Sequence, residues 1–204
     1  IQRFESISSD DQQVKALMKE AGQAIKEGAY DRADELLEQI DERHDKAIQQ
    51  LHKLRAETAV RLEKEQLAKA ENLASRARLQ RLQYNYEKSA QYFQEAAAAL
   101  PEGHKAERAD WRGGAGYDLH RIARYAEALP LYEQSLSILR EIGDRKEEAK
   151  MLSNIGGIYQ NQGEYGEALK YAEQDLAIER QIGNRRGQGT ALNNIATLAY
   201  ANVN

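Results

Sequence analysis

The sequence predicts an all-α solenoid, a stack of antiparallel helix hairpins entered through a long N-terminal helix. Three observations predict it: a block of residues recurs at a fixed offset, residues 31–82 contain neither Gly nor Pro, and no segment sustains strand-like alternation.

The recurrence is the strongest of these. Gly116, Leu119, Tyr125, Ala128, Leu136 and Ile142-Gly143-Asp144-Arg145 return as Gly156, Tyr159, Tyr165, Ala168, Leu176 and Ile182-Gly183-Asn184-Arg185, always 40 residues later. A third copy opens with Leu192-Asn193-Asn194-Ile195-Ala196, the counterpart of Leu152-Ser153-Asn154-Ile155-Gly156, and supplies one helix before the sequence stops. Upstream, a Tyr followed three residues later by a small residue marks earlier copies: Tyr30 with Ala33 and Tyr86 with Ser89, as Tyr125 with Ala128 and Tyr165 with Ala168. Small residues are required because paired helices approach to about 8–10 Å, and a larger side chain would prop them apart. The Tyr is expected to fill the wedge beside the turn. Gly28 and Gly163 sit five residues before the small residue, where a helix ends and φ turns positive. Tyr84 and Ala123 hold that place in the other copies, which predicts turns of another kind.

Helices are predicted over roughly 10–27, 31–82, 86–100, 106–122, 126–142, 146–162, 166–182 and 186–202, with Pro130 near the first turn of its helix. Residues 31–82 are rich in Glu, Lys, Ala, Leu and Gln, a composition that favours continuous helix. Their apolar stripe through Ile40, Ile48, Leu51, Leu54, Leu62 and Leu73 fits three arrangements. One is a shared helix in the stack, the second a coiled coil, and the third a helix broken near His44.

The Tyr-x-x-small element, together with Phe93, Ala96 and the closing Pro101, resembles the signature of the tetratricopeptide repeat (TPR). The 40-residue period, "Leu-Ser-Asn-Ile-Gly" and "Ile-Gly-Asp-Arg" resemble the subclass found in kinesin light chain-like and Pins-like adaptors. The resemblance implies a TPR α-solenoid divided as follows: a flank (1–11), a first hairpin (12–45), a long-helix insert (46–69), repeats over 70–105, 106–145 and 146–185, and the first helix of a truncated repeat (186–204). It implies a non-catalytic scaffold that binds a protein or peptide in the concave groove. Two alternatives stand beside it: a regulatory or sensor module for a fused or partner catalytic domain, and a spacer that homodimerises through residues 31–82.

Composition narrows the function further. Against 33 Asp+Glu stand 29 Lys+Arg, with no long single-sign block, so neither nucleic acid nor a membrane surface is expected as partner. No apolar run is long enough to span a bilayer, and the absence of Cys fits a cytoplasmic, reducing setting. Starting at Ile1 and stopping inside a helical pattern, the chain reads as a piece of a longer protein.

Chemistry-bearing motifs are lacking. His44, His52, His104 and His120 have no ligand-pair spacing, so no metal site or cofactor is expected. Gly113-Gly114-Ala115-Gly116 superficially resembles a phosphate loop, but it lacks the following Lys and falls within a predicted helix, where glycines permit close packing. Carboxylates lie at helical spacings from basic residues, such as Glu57 with Arg61, and read as solvated faces. Arg76, Arg78 and Arg81 beside Tyr84 and Tyr86 form a basic-aromatic run, although Tyr86 already has a packing role.

The candidate site therefore lies on the first helix of each hairpin, the face that lines a TPR groove. It comprises Arg112, Tyr117 and Arg121 in one repeat, Lys150, Ser153, Asn154 and Asn161 in the next, and Thr190, Asn193, Asn194 and Thr197 in the last. The resemblance implies that Asn154 and Asn194 hydrogen-bond the backbone of an extended peptide, since an amide both donates and accepts. Gly114 holds the equivalent place one repeat earlier, so the Asn ladder is incomplete. A clamp for a C-terminal carboxylate would need Lys and Asn in successive repeats. Lys150 and Asn154 supply that pair once, while Asp110 with Gly114 and Thr190 with Asn194 do not.

Overall fold

The computed structural model describes residues 12–203. They form eight helices: α1 (Gln12–Lys26), α2 (Tyr30–Leu82), α3 (Tyr86–Ala99), α4 (Lys105–Arg121), α5 (Tyr125–Ile142), α6 (Arg145–Asn161), α7 (Tyr165–Gln181) and α8 (Arg185–Val203). The expected helices are found with ends shifted by a residue or two, and no strand occurs among the described residues. The flank 1–11 lies outside the described residues.

The chain divides into two compact units, 1–62 and 63–204, with the division inside α2. α2 is unbroken, so the break considered near His44 does not occur. In the first unit, Val14, Ala21 and Ala24 of α1 are buried together with Ala33, Leu36 and Ile40 of α2. Beyond them Ile48, Leu51, Leu54 and Leu62 are exposed, so the apolar stripe is covered at its start and bare in its middle.

In the second unit, α3 to α8 form successive antiparallel pairs around a core of small and branched residues. Ser89, Ala128 and Ala168, the small residues of the repeat signature, are completely buried. The glycines of α4 permit the close packing expected of them: a Cβ on Gly116 would lie 3.0 Å from the Tyr132 ring, and one on Gly113 would lie 2.9 Å from Met151 Sδ. Between hairpins, the recurring Gly-Asp and Gly-Asn pairs end one helix and start the next. Gly143 caps α5 in the left-handed region, and Asp144 Oδ1 accepts from the Glu147 N–H at 3.1 Å to open α6. Asn184 does the same for Gly187 at 3.2 Å.

Three expectations need correction. Tyr84 and Ala123 do not make a different turn: their φ values of 61° and 60° match the left-handed geometry of Gly28 and Gly163 at 74° and 78°. Each turn closes with the same pair of backbone bonds, Ala123 to the His120 carbonyl and Arg124 to the Leu119 carbonyl, as Gly163 does to Gln160 and Glu164 to Tyr159. Hairpin closure thus imposes a conformation that costs a non-Gly residue about 1–2 kcal/mol. Tyr30 does not fill a wedge, being 70% exposed, whereas Tyr86, Tyr125 and Tyr165 are half-buried. Pro130 sits beyond the first turn, inside α5, and the helix runs through it.

Candidate groove along the first helices of the repeats

The first helices α4, α6 and α8 present their partly covered faces above the second helices α5 and α7. The repeat register decides which side chains meet there, because residues 40 apart occupy equivalent positions. A cleft of about 770 Å³ lies between α4 and α6 and reaches back to α2. Trp111, Leu139 and Met151 give it an apolar base, and Glu71, Asp110, Glu147, Arg78, Arg81 and Lys150 give it charges of both signs. A second cleft of about 300 Å³ repeats this position between α6 and α8, with Asp175 and Glu179 where the first has Ser135 and Leu139. A third, about 390 Å³, lies at the far end of α4 and α6, among Tyr117, His120, Arg121 and Asn161.

Asn154 lines all three clefts. It is half-buried, and its side-chain amide makes no hydrogen bond to any described residue. The other expected site residues are distributed unevenly. Tyr117 and Lys150 line two clefts each, Ser153 and Thr190 the second, and Arg121 and Asn161 the third. Arg112, Asn193, Asn194 and Thr197 line none of the three.

Several of these side chains are engaged within the chain. The Asn161 amide nitrogen lies 2.9 Å from His120 Nε2, where a neutral imidazole accepts. Burial, and then Arg121, hold His120 below its usual value, which keeps it neutral. Thr190 and Thr197 donate to the Arg186 and Asn193 carbonyls of their own helix, at 3.3 and 2.9 Å. Lys150 Nζ is 3.0 Å from Glu147 Oε2, and the Arg121 guanidinium lies 5.6 Å from the Tyr86 ring centre.

The basic-aromatic run near the end of α2 separates. Arg76 stacks 4.2 Å from the Tyr92 ring centre, and Arg78 faces the large cleft. Arg81 enters the core wall. Its Nε and one terminal nitrogen donate to the Asp118 carboxylate at 2.7 and 3.0 Å, and that terminal nitrogen also donates to the Gly114 carbonyl at 2.9 Å. The Ser89 hydroxyl donates to Asp118 Oδ2 at 2.5 Å. Sequence reading missed this network, and its signal was the register: Asp118 occupies the position of Ile158 and Leu198. The same signal marks the floor of the second cleft. Burial, and then Glu179, raise the Asp175 carboxyl to about 6, while the Ser153 hydroxyl works in the opposite direction.

Neither a metal cluster nor a membrane span enters this picture. Among the described residues no group of three or more His, Cys, Asp or Glu could hold a metal ion, and no helix is long and apolar enough to cross a membrane.

Residues 147–202 match the family model described as Tetratricopeptide repeat. No curated protein matches the chain. Solved structures share the fold at low identity. The N-terminal domain of stress-induced protein-1 (STI-1) from C. elegans is 16% identical with a TM-score of 0.53, the match covering 63% of this chain and 96% of that one. BtubC (BKLC) from P. vanneervenii is 14% identical with a TM-score of 0.61, covering 94% of this chain and 85% of that one. Aspartyl phosphate phosphatase F from Bacillus subtilis is 15% identical with a TM-score of 0.61, and there the match covers 98% of this chain but 62% of the other.

Proposed function

Because the chain carries tetratricopeptide repeats, which build protein–protein interaction scaffolds, we propose that it binds an extended peptide segment of a partner protein along α4, α6 and α8. One observation carries the reading: a cleft recurs in repeat register, between α4 and α6 and again between α6 and α8, and Asn154, whose amide has no partner among the described residues, lines both. An amide so placed can donate to and accept from one peptide group whatever its side chain. Tyr117 and Lys150 then contact ligand side chains, and Asn194 offers the next rung along α8. The reading assigns the chain no catalytic role and no cofactor.

The test begins with a random-peptide display library selected against the full chain. Peptides recovered with the wild-type protein should lose about tenfold or more in affinity for Asn154→Ala, the scale of a peptide group left unmatched. The melting temperature should stay unchanged, because the amide supports nothing in the fold. Equal affinity for both proteins, or failure to enrich any peptide, refutes the reading.

A second reading, self-association through residues 31–82, is favoured by the exposed Ile48, Leu51, Leu54 and Leu62. Light scattering that gives a monomer mass at every concentration rules it out.

A further inference from the structure

We propose that the second cleft is a socket for a lysine or arginine side chain of the bound segment, an inference that rests on the groove reading above. Its floor is anomalous within the repeat. Asp175 and Glu179, one turn apart on α7, replace Ser135 and Leu139, and they are only 6% and 8% exposed. Glu179 Oε2 is buried without a hydrogen-bond partner. Taking a carboxylate out of water is unfavourable unless a donor or a cation replaces the water, and two adjacent carboxylates make the need greater.

The cations among the described residues leave that need unmet. Lys150 at the cleft pairs with Glu147 at 3.0 Å and with neither acid, and the exposed Arg186 on its wall forms an ion pair with neither acid. Room for the acid has been left on the α8 side. Gly187 occupies the position of Glu147 in the preceding repeat, and a Cβ there would fall 2.2–2.4 Å from the Glu179 carboxylate. Asp118, the other acid at an apolar repeat position, shows how such a group is satisfied: a guanidinium from a different helix donates to both of its oxygens. In the second cleft no described residue supplies an equivalent ammonium or guanidinium, and the bound segment does so instead. An organic cation fits this site better than a metal ion, which would need more ligands than two carboxylates.

The peptides selected as above supply the probe. In the wild-type screen one position should be fixed as Lys or Arg, and replacing it by norleucine should lower affinity about tenfold. Against Asp175→Asn/Glu179→Gln, the same replacement should change affinity little, because the charge it removes has lost its counterpart. The double variant should melt no lower than wild type, since it removes two buried charges, and the peptide replacement leaves the protein untouched. Peptides that depend on Asn154 but show no fixed basic position overturn the socket while leaving the groove reading intact. So does a norleucine penalty that is equal in both proteins. Peptides indifferent to Asn154→Ala, or none at all, remove the groove and the socket together.

Discussion

Replacing Arg81 by Met removes the only cation among the described residues that pairs with the completely buried Asp118, and the magnitude follows from the network. Asp118 accepts from Arg81 at 2.7 and 3.0 Å and from Ser89 at 2.5 Å, so the variant leaves a buried carboxylate with one neutral donor. Breaking a buried pair from one side costs about 3–5 kcal/mol. Arg81 is itself 33% exposed, and water can reach part of the vacated space, so the lower range applies, about 2–4 kcal/mol. Loss of the bond to the Gly114 carbonyl and of the stack on Phe93, at 4.7 Å, is included in that figure. Adding Asp118→Ile, the residue found at Ile158, should restore most of the loss, because the pair is then replaced by apolar packing. Urea unfolding followed by fluorescence of Trp111, the single tryptophan and a buried one, reads both variants. A loss below about 1 kcal/mol for Arg81→Met would refute the argument, as would a double variant less stable than the single one.

Two further predictions concern the turn after α4 and the acid floor. Ala123→Gly should raise stability by about 0.5–1 kcal/mol, the relief of a left-handed alanine less the added chain entropy of glycine, and lower stability in thermal melts would contradict that balance. For Asp175, raised from 3.8 to about 6, the native state holds a proton between about pH 4 and 6 that the unfolded chain has released. Its contribution to stability is therefore present at low pH, falls as pH rises through that window, and is gone above it. The groups that face it are Glu179 on its own helix, Ser153 and Lys150 on α6, and Arg186 on α8. The shift sets a ceiling of about 3 kcal/mol, and rehydration from the open cleft brings the expected amplitude to about 1–2 kcal/mol. Asp175→Asn should abolish this component and be the more stable protein at pH 7. The wild-type-minus-variant difference in unfolding free energy across pH 4–8 measures it, and a difference that does not change with pH refutes it.

The helices and their small-residue crossings were legible because both are imposed locally and repeatedly. Burial of Ser89, Ala128 and Ala168 follows from the period alone. The turns at Tyr84 and Ala123 were not legible from residue type, since the closing bonds of the hairpin, rather than the preference of the residue, set φ there. Asn154 could be placed from the register, and so could its neighbours on α6. Asn161 could not be separated from its partner: whether an amide on a first helix faces a ligand or a neighbouring helix depends on what stands opposite, here His120, 41 residues earlier. Arg112, Asn193, Asn194 and Thr197 share the helices of the groove but line none of these three clefts.

Comparison between copies carries more information than either copy read alone. A polar residue at a position that is apolar in the other repeats must be compensated, since its burial is set by the fold and not by its own chemistry. Tyr132, at the position of Ala172, is compensated by packing: its ring fills the space that Gly116 leaves, although the buried hydroxyl has no partner and the phenol is pushed above its ordinary value. Asp118 is compensated by Arg81, 37 residues away. Asp175, whose counterpart Ser135 is itself polar, has the Ser153 hydroxyl, and Glu179 Oε2, at the position of Leu139, has no hydrogen-bond partner among the described residues. Asp175 and Glu179 both line the second cleft, so that cleft is where a ligand's positive charge would add most to binding.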